Sequence, residues 1–211
     1  MKKLLMITAI LLVGFTNVNA QDKVAFGLKG GMNFTTITGT DYEGLKTAFH
    51  VGLATEIMIS DSFSVQPELL YSSQGSRYDD TWEGGGFFEQ ETVDIDVNYV
   101  SLPIMAKFYP AGGFNIEAGP QIGFLLSGDL DWTYNEDGDI SSGSEDLKDH
   151  LKGIDFGLNL GLGYKFTNGL NFGARYTFDL TDINDSNDVE FNESYSELKN
   201  IVGQVFIGYF F

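Results

Sequence analysis

The feature that most constrains this chain is an alternation of apolar and polar residues that returns in segment after segment. In Ile154–Phe166 every second residue is large and apolar, and the residues between them are Asp155, Asn159, Lys165 and glycines. A period of two is the signature of a β-strand with two different faces. The alternation predicts eight strands of about 10–14 residues, namely Val24–Phe34, Phe49–Ile59, Phe63–Tyr71, Val100–Phe108, Phe114–Phe124, Ile154–Phe166, Leu170–Leu180 and Ile201–Phe211.

Short and long connections between these strands alternate along the chain. Ser60–Ser62, Ala111–Gly113 and Thr167–Gly169 are tight turns. Hairpins with their turns at one end and their loops at the other form an up-and-down barrel with an even number of strands. The long polar stretches that alternate with the turns lie near 35–47, 77–93, 128–152 and 184–198.

The bulk of the two strand faces predicts which of them points outward. An eight-stranded barrel is just wide enough for side chains to fill it, so the face that carries the large apolar residues cannot be the interior. The opposite face is rich in small residues such as Gly157 and Gly161. Aromatic residues gather at both ends of the apolar face, as in the girdles of a membrane barrel. We therefore predict an all-β, eight-stranded antiparallel up-and-down transmembrane β-barrel over residues 21–211.

The first 20 residues have the pattern of a secretory signal peptide. Lys2 and Lys3 precede an apolar run from Leu4 to Phe15, and Ala20 ends the segment. The run is shorter than the roughly 20 apolar residues that a membrane-spanning helix needs. We expect cleavage after Ala20 and export of residues 21–211.

Several short motifs resemble the PorT-type outer-membrane β-barrels of Bacteroidetes, and the similarity covers essentially all of residues 21–211. The resemblance implies an integral protein of the cell outer membrane, in a family whose members are mostly small barrels without an assigned activity. The final Phe211 resembles the aromatic signal that barrel-insertion machinery reads. The motifs are Gln66–Ser72, Tyr99–Ile104 with Lys107, Gly119–Gly123, Gly161–Tyr164 and Ala174–Tyr176.

Charged residues on the predicted lumen face are nearly balanced in sign, although the chain has a net charge of −18. An unpaired buried charge is expensive, so the balance predicts local pairing, and Lys107 and Glu117 are expected to face each other. The network is either a structural ionic plug, which we favour, or an ion or proton path. Its predicted members are Lys29, Glu56, Glu68, Lys107, Glu117, Asp155, Lys165, Arg175 and Asp179.

Three prolines, Pro67, Pro103 and Pro120, fall inside predicted strands. Proline cannot donate a hydrogen bond to a neighbouring strand and is normally kept to edges or bulges. A closed barrel has no edge, and we therefore expect a β-bulge at each of the three.

The long loops hold most of the surplus acid and a group of aromatic residues. The run Asn135–Asp139 hints at calcium, but aligned as an EF-hand loop it places Thr133 first and Ser144 last, and neither fits. We predict a solvated acidic loop and no metal site. The aromatic residues either pack the loops together or act as anchors for a binding partner, and they are Trp82, Phe87, Phe88, Trp132 and Tyr134.

Composition narrows the function classes. The chain has 12 Lys+Arg against 30 Asp+Glu, which argues against nucleic acid as a partner, and it has no cysteine. Its two histidines, His50 and His150, have no preorganised nucleophile beside them in the sequence pattern. We therefore expect no enzymatic activity and no cofactor.

The leading hypothesis is a small non-catalytic outer-membrane protein that acts through surface contact or envelope integrity. Its expected partners are outer-membrane lipid, the barrel-insertion machinery and other envelope proteins. Two alternatives stay open, an assembly component of a secretion machine and a narrow channel or transporter.

Overall fold

The computed structural model describes residues 23–40, 42–185 and 197–211. One turn of 3-10 helix, Lys148–His150, interrupts a structure made of strands. In these described ranges, no helix is long and apolar enough to cross a membrane. The strands are β1 (Val24–Thr38), β2 (Lys46–Ser60), β3 (Phe63–Gly84), β4 (Phe87–Ala111), β5 (Phe114–Glu136), β6 (Asp139–Asp146), β7 (Ile154–Lys165), β8 (Leu170–Asp179) and β9 (Lys199–Phe210).

Eight of the strands close into an antiparallel ring. The order around it is β1, β2, β3, β4, β5, β7, β8 and β9, and β9 pairs with β1 to complete the circle. Closure gives both sides of every strand a hydrogen-bonding partner, which a sheet surrounded by lipid requires. The predicted eight-stranded barrel is confirmed, and the three predicted tight turns connect β2 to β3, β4 to β5 and β7 to β8.

The predicted strand lengths are wrong for β3, β4 and β5, which have 22, 25 and 23 residues. The stretches near 77–93 and 128–152, expected to be polar loops, are largely strand. The pairing of β2 with β3 ends at His50 and Ser72, toward the loop end of the barrel. Beyond this pair, β3 and β4 continue as a hairpin, and β5 continues beside β4. The ninth strand, β6, pairs with β5 there. We call this four-stranded projection, residues 73–98 and 127–146, the extension sheet.

The expectation of bulges at the prolines is also wrong. Pro67 lies opposite Ile104, Pro103 opposite Gln121 and Pro120 opposite Leu158, without a change of register. A strand residue directs its N–H toward one neighbour only, so a proline leaves one carbonyl unpaired and needs no extra residue. The register shifts instead between Met58 and Ser60, Asn98 and Tyr99, and Phe108 and Ala111.

The two faces of the ring have the polarity that the alternation predicts. Phe156, Leu158 and Leu160 of β7 are exposed on the outside, and Asp155 and Asn159, which alternate with them, are buried inside. Exposed aromatic residues stand on the outside at both ends of the ring. Those at the loop end include Phe34, Phe49, Phe124, Phe156 and Phe178, and those at the turn end include Phe26, Phe63, Phe108, Phe114, Phe166, Phe172 and Tyr209.

Candidate functional site

The first candidate site is a cluster of charged side chains at the centre of the lumen. The Arg175 guanidinium donates to both carboxylate oxygens of Glu68 (2.8 and 3.0 Å) and to Oε1 of Glu117 (2.9 Å). Lys29 Nζ lies 3.1 Å from the Glu68 carboxylate and 3.8 Å from the centroid of the Phe206 ring. We call these four charged residues the central ion cluster. Two cations and two carboxylates neutralise each other there, in the bidentate geometry that arginine favours.

A second cluster lies nearer the turn end of the barrel, around Glu56. Its carboxylate accepts hydrogen bonds from Lys165, from the Tyr109 hydroxyl and, at 2.8 Å, from Ser64. Lys107 Nζ lies 3.8 Å from Glu56. Burial of the Glu56 side chain is complete, so its charge is held by protein groups alone.

The expected direct pair of Lys107 and Glu117 is wrong. The two residues lie opposite each other in register, as the turn length predicts. However, the Lys107 ammonium donates to Gln66 (3.1 Å), and Gln66 in turn donates to Glu68 (2.7 Å). Glu117 turns to Arg175, because a guanidinium can hold two carboxylates at once and a single ammonium lies nearer to Glu56.

Two of the nine predicted lumen residues, Asp155 and Asp179, do not lie beside a cationic side chain. Both are buried near the loop end of the lumen, and Asp179 lies opposite Gly157, which leaves room for it. In the described part of the chain neither makes an ion pair, and one oxygen of each has no hydrogen-bond partner. The lumen network therefore consists of the other seven residues.

The ion pairs cross the bore of the barrel. Glu68 is on β3 and Arg175 on β8, which lie on opposite sides of the eight-stranded ring, and the same holds for Glu56 on β2 and Lys165 on β7. Phe206, which contacts Lys29 and Arg175, and Leu70 add apolar bulk to the lumen and are buried. Paired charges therefore reach across the lumen from one wall to the other.

The second candidate site is the extension sheet, where four of the five predicted contact residues share a face. The register Trp82–Glu89 and Gly84–Phe87 joins β3 to β4, and Val93–Trp132 and Glu91–Tyr134 join β4 to β5. Trp82, Phe87, Trp132 and Tyr134 therefore point to one side, which we call the inner face because its base continues the lumen. Phe88 points to the other side, since it pairs with Glu83.

An apolar core at the base of the inner face was missed at the sequence level. Val93, Ile95, Val97 and Tyr99 of β4 are buried there and pack with residues from the loop-end connections, including Leu147 and Ile183. The same core borders an apolar cavity of about 160 Å³. The clean alternation of residues 92–97 was the signal that could have found it.

The extension sheet is strongly acidic. Residues 73–98 contain seven Asp or Glu and residues 127–146 contain seven more, against one basic residue, Arg77. A hydrogen bond and ion pair with Arg77 (3.0 Å) lower the pKa of Asp79. Lys46 reaches up from β2 to pair with Asp94 and, at 2.7 Å, with Asp96. Among the described residues no group of three His, Asp or Glu is placed to hold a metal ion.

Comparison with known proteins identifies the family. The family model described as an outer membrane protein beta-barrel domain matches residues 19–185. The chain therefore belongs to that family, and it is an integral β-barrel protein of the outer membrane. In such barrels the short turns are periplasmic and the long connections extracellular, so we expect the extension sheet to lie outside the cell. A search of the curated proteins finds no match to this chain.

Solved structures similar to this chain include other outer-membrane proteins. Ail, the attachment invasion locus protein of Yersinia pestis, is 14% identical over 90% of this chain and 99% of its own, with a TM-score of 0.45. Neisserial surface protein A is 11% identical over 88% and 97%, with a TM-score of 0.42. The outer membrane enzyme PagL is 14% identical over 87% and 98%, with a TM-score of 0.36.

Proposed function

We propose that this protein is a non-catalytic outer-membrane protein that makes contacts at the cell surface through its extension sheet. The observation that carries the proposal is the exposure of Trp82, Phe87 and Trp132 on one face of a hydrogen-bonded sheet. Large aromatic side chains are the residues that most often anchor protein interfaces, and the strands hold them in fixed positions. A role in envelope integrity is compatible with the same contacts.

The two sides of the sheet offer a test. Trp82 and Thr81 are neighbours in β3, both are exposed, and they point to opposite faces. A photo-crosslinking amino acid at position 82 should give a discrete adduct on intact cells, and the same group at position 81 should not. Equal adducts from both positions, or none from position 82, would contradict contact through the inner face.

The same proposal includes a lumen that is plugged. Two ion pairs join opposite walls of the barrel, and an eight-stranded bore leaves little room beside them. The purified protein should therefore show no stepwise ion conductance in planar bilayers. A conducting wild-type protein would favour the narrow channel instead.

The resemblance to PorT-type barrels supports one alternative, an assembly component of a secretion machine. A deletion strain separates the two functions, because loss of secreted cargo is expected only for the assembly component. Normal secretion together with a specific adduct from position 82 would favour surface contact.

A further inference from the structure

A pocket of about 260 Å³ opens on the inner face of the extension sheet. Tyr42, Trp132 and Tyr134 form its aromatic walls and Glu91 supplies a carboxylate. Val93, Leu130 and Thr133 also line it. We call it the aromatic pocket. The combination of aromatic faces, an apolar lining and one carboxylate is the chemistry that recognises an organic cation.

The walls of the pocket are held in place by the sheet and by the β1–β2 connection. Glu91 lies directly opposite Tyr134 in the ladder between β4 and β5. The Tyr42 ring meets the Tyr78 ring edge-on at 5.8 Å, and the Tyr42 carbonyl accepts a hydrogen bond of 2.7 Å from Ser76. The Trp132 indole leans over Gly143 of β6, where a larger residue would meet the ring. The site is preformed.

The charge around the pocket has one sign. Desolvation raises the pKa of Tyr134, and the carboxylates of Glu89, Glu136 and Glu91 raise it further. The only basic residue of the extension sheet, Arg77, is paired with Asp79. The lining and the surrounding surface thus attract a cation and repel an anion.

We propose that the aromatic pocket takes the side chain of a lysine or arginine from a basic protein segment. The apolar lining accommodates the methylene stem, the rings contact the cationic head, and Glu91 pairs with it. This inference rests on the proposed function, since it names the partner chemistry of the same surface. The acidic surface around the pocket would bring a basic segment to it.

The experiment uses the full chain refolded in detergent micelles and a synthetic peptide of alternating lysine and serine. Binding is measured by titration calorimetry. Glu91→Gln should weaken binding of the peptide roughly five- to tenfold, and Trp132→Leu by a similar factor. Matched controls are Glu83→Gln and Phe88→Leu, the corresponding changes at two residues of the opposite face. Each control should change the affinity less than about twofold.

The chemistry of the probe gives a second measurement that does not depend on variants. Acetylation of the lysines removes their charge and keeps their stems, so the acetylated peptide should bind more than tenfold more weakly. Equal binding of the two peptides would overturn the cationic ligand. Equal weakening by Glu91→Gln and Glu83→Gln would overturn the pocket but leave surface contact intact. No binding of the lysine peptide, together with a specific adduct from position 82, would likewise overturn only this inference.

Discussion

Charged residues are arranged in opposite ways in the lumen and in the extension sheet, although three strands run through both. In the lumen, cations and carboxylates are buried and balanced, and the apolar residues face outward. In the extension sheet the apolar residues face inward at the base, and the charged residues are acidic apart from one arginine. The difference follows from the surroundings. Lipid surrounds the ring, so its outer face is apolar, and water surrounds the extension sheet, so its outer face is polar.

In strand β4 the apolar face changes from the inner to the outer side within one continuous strand. Its odd-numbered residues point inward throughout, from buried Val93 and Val97 to buried Lys107. The even-numbered residues point outward. They are acidic at Asp94 and Asp96 and become apolar from Val100 onward, at Leu102 and Ile104. The apolar phase therefore inverts near Tyr99 without any change in the direction of the backbone. This inversion marks the boundary between lipid and water.

The largest expected difference between the two regions is the cost of removing an arginine. Arg175→Met leaves Glu68 and Glu117 buried with too little positive charge, and it should destabilise the protein by about 3–5 kcal/mol. Arg77→Met breaks an exposed pair in the extension sheet, where the expected cost is below about 1 kcal/mol. Urea unfolding in lipid vesicles measures both. Similar costs would show that the lumen is wet.

An arginine added to the outer surface should report the solvent on each side of Tyr99. Leu160→Arg places a charge on the lipid face and should cost about 2–4 kcal/mol at mid-membrane depth. Thr133→Arg, on the outward face of the extension sheet, should be close to neutral. If both variants unfold at the wild-type urea concentration, the assignment of the lipid face is wrong.

Double mutants test which carboxylate holds Lys107. Lys107→Met should couple with Glu56→Gln by roughly 0.5–3 kcal/mol, the usual range for residues in one ion-pair network. Coupling with Glu117→Gln should be smaller, since that carboxylate is bound to Arg175. Stronger coupling to Glu117 would restore the direct pair that the turn length predicts.

The smallest effect concerns pH and the extension sheet. The folded pKa of Asp79 is depressed by Arg77, so its stabilising contribution is present above the unfolded pKa and is lost as the pH falls through the folded value. The pair is exposed, and the change should be at most about 1 kcal/mol. The protection factors of the β3–β4 hairpin amides, which correct for the intrinsic pH dependence of exchange, should fall slightly on acidification below about pH 4, and Arg77→Met should reduce that response.

The ring could be predicted from the sequence because alternation and tight turns are local signals. The extension sheet was missed because the apolar alternation changes phase at Tyr99, and the strand was taken to end where the first phase ended. On β5 the pattern is interrupted in another way, by the register shift opposite Asn98 and Tyr99. The alternation of inward and outward residues along each strand was enough to identify the charged lumen residues, but not their partners. Those depend on side-chain reach across the bore, which spacing along one hairpin does not encode.

The ion pairs that cross the bore also bear on how fast the barrel comes apart. Arg175 is 107 residues from Glu68, and Lys165 is 109 residues from Glu56. Neither pair can form until β9 has met β1, so both are absent from any chain that is still an open sheet. Contacts made only after the rate-limiting step of folding slow unfolding without speeding folding. We therefore expect the two ion pairs to lengthen the lifetime of the inserted barrel more than they speed its folding.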